Sequence, residues 1–200
     1  MAKKVILASG SPRRKELLEQ VGVEFEQRVS GKEERYTATE PKEIVKELAL
    51  MKAENVASDI EAEKGLLIDT VVIGADTIVV LDGQILGKPR NEEHAFEMLQ
   101  NLQGRSHEVY TGVAFLSYNK EGKKEVISHA VETKVHVHEM SEKEIRKYVA
   151  TKDPMDKAGG YGIQGVFAAY IDGIEGDYYN VVGLPVSYVY QQLKEICLMC

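Results

Sequence analysis

No apolar run in this chain approaches the roughly 20 residues needed to span a bilayer. The N-terminal Met-Ala-Lys-Lys is followed by only four clearly apolar residues, too few for a secretory signal. Cysteine occurs twice, as Cys197 and Cys200 at the extreme C-terminus. A lone C-x-x-C can signal zinc or redox chemistry, but zinc needs two further ligands and none is spaced for it. The pair reads as terminal thiols of a reducing compartment, so the expected location is the cytoplasm. A positive charge balance is also lacking: 25 Lys and Arg against 32 Asp and Glu give a formal net charge of −7. That argues against broad nucleic-acid binding, which needs a basic face, yet leaves room for a small anionic ligand in a cleft dominated by a few cations. Internal repeats, low-complexity tracts, G-x-S-x-G, H-E-x-x-H and the phosphate-loop lysine spacing are all missing.

What is present is an ordinary globular composition, 44% hydrophobic and 28% charged over 200 residues, which suits one domain with a real core. Val5–Ala8 reads as a buried strand, Pro12–Gln20 as a helix stopped by Gly22, and Val23–Val29 as a second strand. The polar stretch Gly31–Thr39 is a loop, and Pro41 opens a long helix to about residue 60, with Ile44, Val45, Leu48, Ala49 and Lys52 at helical spacing. Val71–Leu81 is a buried strand, Asp82-Gly83 a hairpin turn, and Gln84–Leu86 the returning arm. Asn91 caps a helix from about Glu92 to Gln103, closed by Gly104. Long strands follow at Glu108–Tyr118 and Glu125–Glu139; in the second, Val131, Thr133, Val135 and Val137 alternate with Glu132, Lys134, His136 and His138, the pattern of one dry and one wet face. Ser141 and Glu144 form a capping box for a helix through Val149. Lys152–Gly165 is glycine-rich, Val166–Ile171 reads as a strand, Asp172-Gly173 as a turn, and Pro185–Ile196 as the last helix. Buried runs mixed with alternating hairpins predict an α/β fold with a mixed sheet.

Six places carry candidate chemistry. In Ala8-Ser9-Gly10-Ser11-Pro12-Arg13-Arg14 a strand ends in small polar residues and proline starts a helix. Free backbone donors, the positive helix end, two hydroxyls and two guanidiniums suit an anion such as phosphate; an ordinary strand–helix connection with solvated arginines uses the same residues. Asp76 interrupts an apolar strand, where an unpaired carboxylate is costly. It reads as a general base or metal ligand, or as a structural aspartate bonded to backbone N–H groups. Lys88, stiffened between Gly87 and Pro89, can meet a phosphate or stand exposed on its hairpin. Lys52 has its base toward the core and needs a partner, or snorkels to solvent. Gln164 is a lone amide in the glycine-dense loop, suited to a base edge or to capping a turn. His136 and His138 share a face but no third ligand is apparent; His94 and His107 read as surface or hydrogen-bonded.

These segments, with Gly104-Arg105-Ser106-His107, Asp156-Lys157-Ala158-Gly159, Tyr161-Gly162-Ile163-Gln164-Gly165, Gly176-Asp177-Tyr178-Tyr179 and Gly183-Leu184-Pro185, taken in order, resemble the Maf family of nucleoside triphosphate pyrophosphatases. The resemblance covers essentially the whole chain, read as one domain over residues 1–200. It implies a mixed, strongly twisted sheet with flanking helices, two lobes around a central cleft as in inosine-triphosphatase-like folds, and a homodimer without nucleic-acid or membrane partners. It also implies hydrolysis of a nucleoside triphosphate to monophosphate and pyrophosphate with a divalent cation, Mg²⁺ or Mn²⁺. Arginine, threonine and glutamine at Arg13, Thr77 and Gln164 resemble the subgroup specific for dTTP and UTP, which also accepts some modified pyrimidine nucleotides. Asp76 matches the family's proton acceptor. Ser9, Ser11, Arg14, Lys52 and Lys88 are the expected phosphate contacts, and Glu34 with Asp76 the expected metal ligands. The family's loop before the long helix usually reads Asp-x-Asp-Glu or similar, and Gly31-Lys32-Glu33-Glu34 keeps only its last carboxylate. Two other readings accompany this one: a nucleotide-binding regulator of septum formation that acts through a partner without turnover, and a phosphatase for an unrelated phosphoester.

Overall fold

In the computed structural model, which describes residues 3–198, the first strand β1 (Lys4–Ala8) lies parallel both to β2 (Glu26–Arg28) and to β3 (Thr70–Leu81). Pro12 opens α1 (Pro12–Gln20), and Gly22, at φ +73°, turns the chain out of it. α2 (Pro41–Lys64) likewise begins on proline and ends at Gly65, at φ +83°. It outruns the expected end near residue 60 because Glu61–Lys64, though exposed, are good helix formers and nothing stops them before the glycine. β4 (Gln84–Leu86) folds back antiparallel on β3. Then come α3 (Glu92–Leu102), β5 (Ser106–Tyr118), β6 (Lys124–Val137) and α4 (Glu142–Val149), with the capping box formed as expected: Ser141 accepts from the Glu144 N–H and Glu144 accepts from the Ser141 N–H. Three 3₁₀ turns precede β7 (Ile171–Glu175), α5 (Tyr178–Val182) and α6 (Val186–Leu198). The sheet has seven strands in the order β2-β1-β3-β5-β6-β7, with β4 on β3. Its parallel and antiparallel pairs, twisted and flanked by helices, give the mixed α/β class.

Three sequence expectations need correction. Only Glu26–Arg28 of the expected Val23–Val29 strand pairs, against Ile6–Ala8. Val166–Tyr170 is a 3₁₀ helix rather than a strand: Ala168 N–H donates to the Gly165 carbonyl, and the buried Phe167 anchors the turn. Asp172-Gly173 is no turn but lies inside β7, where Gly173 faces His136 of β6; ladder pairing overrides the local turn signal. The short α5 was not foreseen; Asp177 Oδ1 accepts from the Tyr179 N–H at 2.8 Å at its start. Cys200 lies outside the described residues; Cys197 is exposed.

The chain divides into two compact units. The first holds the chain up to Asp76, Thr111–Val131 and the chain from Gly183 on. Its core packs Ile6 and Ala8 of β1 and Val72 of β3 against Ala53, Val56, Ala57 and Ile60 of α2. The second holds Thr77–Tyr110 and Glu132–Val182. There Thr133, fully buried, accepts from the Asp177 N–H at 3.1 Å and from Asn180 Nδ2 at 2.9 Å, while Asn180 Nδ2 also donates to the Val109 carbonyl at 3.0 Å. No described helix is long and apolar enough to cross a membrane.

Candidate functional site

The position of Asp76 follows from a glycine two residues upstream. Alternate residues of a strand share a face, so Gly74 and Asp76 of β3 point the same way. At Gly74 the backbone of α2 comes so close that a Cβ would lie 2.0 Å from the Ala49 carbonyl oxygen and 2.9 Å from the Ala53 nitrogen. Gly112 on β5 admits the same helix one turn earlier: a Cβ there would meet the Val45 carbonyl oxygen at 2.1 Å. Two glycines thus let α2 settle onto the sheet, and Lys52, beside Ala53 on α2, meets Asp76. Lys52 Nζ donates to Asp76 Oδ1 at 2.5 Å and lies 3.3 Å from Glu34 Oε2. The Asp76 side chain is 14% exposed, neither sealed in nor freely solvated.

Arg14 joins this group from α1. It is buried; its Nε donates to the Gly183 carbonyl at 2.8 Å and its Nη1 to Ser9 Oγ at 3.1 Å. Burial pulls the guanidinium below its ordinary pKa, the facing Asp76 carboxylate pushes it back up, neighbouring Arg13 lowers it and Glu34 raises it. The Ser11 N–H donates to Ser9 Oγ at 3.3 Å, while the Ser11 hydroxyl leaves the helix start uncapped. Beside these groups lies a pocket of about 80 Å³ lined by Ser9, Gly10, Ser30, Glu34, Lys52 and Asn55 among others. Small-molecule sites usually take about 300 Å³ or more, so this pocket has room for a phosphoryl-sized group and not for a nucleotide. The arrangement suits an oxygen-rich anion and a proton acceptor side by side.

The same geometry tests whether a divalent cation fits. Asp76 and Glu34 both reach one cationic atom, Lys52 Nζ. That position is filled by the ammonium, so the fit rests on donor chemistry: carboxylate oxygens are the hard donors that Mg²⁺ and Mn²⁺ take, and Mg²⁺ is commonly held by one or two carboxylates plus substrate phosphates. Among the described residues no group of three or more His, Cys, Asp or Glu forms a metal cage. The donor set fits an ion completed by substrate oxygens.

The remaining predicted residues fall in the second unit, except Arg13, half-buried on α1. Thr77 is half-buried on β3. Lys88 is exposed beyond β4, next to Gly87, whose carbonyl accepts from the Gly159 N–H at 3.1 Å. Gln164 is exposed in the turn closed by Gly165 N–H donating to the Gly162 carbonyl. The glycine loop around it is wired by Lys157, whose Nζ donates to the Asp153 carbonyl at 2.7 Å, Asp153 Oδ1 at 3.0 Å and Asp156 Oδ1 at 2.7 Å. Lys157→Met should therefore loosen this loop, read as increased proteolytic nicking between residues 152 and 165 with secondary structure unchanged.

The histidines are committed elsewhere. His136 bonds Ser106 Oγ through Nδ1 and Glu175 Oε1 through Nε2, both at 2.7 Å, and His138 lies 3.5 Å from Asp172. His94 Nδ1 accepts from the Arg90 N–H at 3.2 Å. His107 is fully buried, 2.7 Å from the Tyr161 hydroxyl, and burial pushes its pKa down to about 4. A lowered histidine value contributes stability above its ordinary value of about 6.5 that is lost as pH falls toward 4, an effect of about 3 kcal/mol. Urea unfolding at pH 7 and pH 4.5 checks this: the acid loss should be smaller by about that amount in His107→Gln than in the parent.

Sequence reasoning missed the Gly183 carbonyl that clamps Arg14, and Ser30, Lys32 and Asn55 of the pocket. Asn55 stands three residues after Lys52 on α2, a spacing that shares a helix face and was the available signal. Gly183 stands in the motif Gly183-Leu184-Pro185, but nothing local marks its carbonyl as the partner of Arg14, 169 residues away.

Comparison with known proteins shows the family of the chain. A family model described as Maf-like protein matches residues 4–196. The chain is 50% identical to a dTTP/UTP pyrophosphatase of Lachnoclostridium phytofermentans over 191 residues, covering 96% of this chain and 94% of the relative. It is 50% identical to one of Agathobacter rectalis, covering 96% and 97%, and to one of Bacillus cereus, covering 96% and 90%. Among solved structures, the Ham1 protein of Staphylococcus aureus superposes with TM-score 0.43 at 15% identity over 68% of this chain and 72% of that one. A nucleoside-triphosphatase, or dITP/XTP pyrophosphatase, of Mycobacterium abscessus gives TM-score 0.40 at 14% identity over 98% and 97%. With a family model spanning nearly the whole sequence and relatives at half identity from end to end, this chain belongs to the family of Maf-like proteins.

Proposed function

We propose that this chain hydrolyses dTTP and UTP to the nucleoside monophosphate and pyrophosphate, with the whole of residues 1–200 acting as one catalytic domain. The observation that carries the reading is the Lys52–Asp76 pair beside buried Arg14 and a phosphoryl-sized pocket, in a chain half identical to proteins named dTTP/UTP pyrophosphatase. In the proposed reaction a water oxygen attacks the α-phosphorus, its proton passes to the Asp76 carboxylate, and the bond from the α-phosphorus to the bridging oxygen breaks, releasing pyrophosphate. Lys52 holds the Asp76 carboxylate in place. Arg14, fixed by Ser9 and the Gly183 carbonyl, offers a preorganised positive charge to the phosphates, with Ser9, Ser11 and Lys88 as further contacts. Glu34 and Asp76 would hold a Mg²⁺ or Mn²⁺ ion, which when bound supplies charge neutralisation on phosphate oxygens.

Arg13, Thr77 and Gln164 are assigned to the base. Thymine and uracil present a ring N–H between two carbonyls, and one carboxamide pairs with two adjacent groups of that pattern. Gln164→Ala should narrow the preference for dTTP and UTP over the purine nucleotides about tenfold, the worth of a lost hydrogen bond, while the chain keeps its unfolding midpoint. An unchanged preference across the eight common nucleoside triphosphates removes Gln164 from that role. A homodimer in the cytoplasm completes the proposal, and light scattering reads the dimer.

The function is tested by incubating the chain with Mg²⁺ and each nucleoside triphosphate. Pyrophosphate from dTTP and UTP is the expected outcome. Orthophosphate marks a phosphatase, and tight binding without turnover marks the regulator acting through a partner.

A further inference from the structure

Gln164 is exposed, yet the backbone on either side of it is not free to move. Tyr161, three residues earlier, is buried with its hydroxyl 2.7 Å from His107 Nε2 and its ring edge-on to the imidazole at 5.3 Å. The Gly162 N–H donates to the Tyr148 hydroxyl at 3.2 Å, and that hydroxyl donates to Asp153 Oδ2 at 2.6 Å. Phe167, three residues after Gln164, is fully buried against the rings of both Tyr161 (4.7 Å) and Tyr148 (5.1 Å). The turn bearing Gln164 therefore rises from an aromatic floor at both ends.

Within that floor, His107 is the contact furthest from Gln164 in sequence and the one the reaction does not use. It sits on β5, fully buried, and its Nδ1 has no hydrogen-bond partner among the described residues. A buried imidazole with one nitrogen unpaired is a poor core filler, since an apolar side chain of similar volume would cost less. Among the described residues its one hydrogen-bond partner is the Tyr161 hydroxyl. That hydroxyl in turn has no other hydrogen-bond partner among the described residues, and the ring alone would satisfy the packing against Phe167. The polar pair thus fixes the height and rotation of Tyr161 at the root of the turn, which packing of a smooth ring face leaves loosely defined.

We propose that His107 and Tyr161 form a positioning pair that holds the Gln164 carboxamide in the orientation that reads the pyrimidine edge. The inference rests on the assignment of Gln164 to the base and extends it to two buried residues that touch no substrate. Such a pair acts on selectivity, since a carboxamide rotated end for end presents a donor where an acceptor is wanted and so favours cytosine over thymine or uracil.

Tyr161→Phe removes one oxygen and keeps the ring. In the substrate-free protein, amide hydrogen exchange over residues 162–166 should accelerate at least about tenfold, with the rest of the chain unchanged. With substrate, kcat/KM for dTTP relative to dCTP should fall about tenfold, mainly through KM, and Tyr161→Phe combined with Gln164→Ala should lose no more selectivity than Gln164→Ala alone. His107→Leu, which removes the ring nitrogens and keeps an apolar body at the same depth, should give the same pattern and serves if Tyr161→Phe fails to fold. Parent-like exchange in the 162–166 segment overturns the proposal, as does additive loss of selectivity in the double variant. If the parent turns over no nucleotide, the assigned function fails by itself, and the exchange measurement still decides whether the pair holds the turn.

Discussion

Asp76→Asn should lower kcat for dTTP about a hundredfold or more, the usual worth of a positioned proton acceptor. Asparagine has nearly the shape of aspartate, and its Oδ1 still accepts a hydrogen bond from Lys52. Lys52 also keeps Glu34, 3.3 Å away, so the ammonium is not stranded when the aspartate charge is removed. The folded state should survive, with a single cooperative unfolding transition close to the parent's. What is lost is a carboxylate able to take the proton of the attacking water, and asparagine offers no substitute. A loss seen in kcat with the fold retained supports the assignment. Full turnover in the variant would show that Asp76 is only a partner for Lys52.

Gly74→Ala should cost about 3 kcal/mol or more, the upper end for overpacking, because the obstacle is main chain. The added methyl would meet the Ala49 carbonyl oxygen at 2.0 Å, and a carbonyl in mid-helix has no rotamer in which to evade it. α2 has to slide or lift, and Lys52 rides on α2. The variant should therefore lose activity as well as stability, since the 2.5 Å contact between Lys52 and Asp76 depends on the seating of the helix. Gly112→Ala meets the Val45 carbonyl oxygen at 2.1 Å and should behave alike. Gly31→Ala, with open space around the new Cβ, should stay within about 0.5 kcal/mol of the parent. Urea midpoints and dTTP turnover of the three variants check the account; parent-like values for Gly74→Ala would mean that helix seating does not set the site.

The sequence made the local signals legible. Pro12, Pro41, Asn91 and the Ser141–Glu144 box marked helix starts that the structure realises at those positions. It was less informative where distant pairing decides. Phe167 reads as part of an apolar run but anchors a 3₁₀ turn, and Asp172-Gly173 reads as a turn but lies in β7 because β6 is there to pair with it. For the site, the type of each residue was legible and its partner was not. An aspartate in an apolar strand needs a cation, but only the close approach of α2 at Gly74 selects Lys52. Arg14 beside a helix start promised an anion site; Ser9, which helps fix it, is near in sequence, but the Gly183 carbonyl that holds its Nε comes from the far end of the chain. The role of His107 was invisible, since a histidine's depth and its aromatic partner are tertiary facts.

The most direct test of the central claim is turnover of dTTP with Mg²⁺ in ¹⁸O-labelled water, followed by mass spectrometry of the products. Attack on the α-phosphorus beside Asp76 places one labelled oxygen in dTMP and none in pyrophosphate. Label in pyrophosphate, or release of orthophosphate and dTDP, would contradict it.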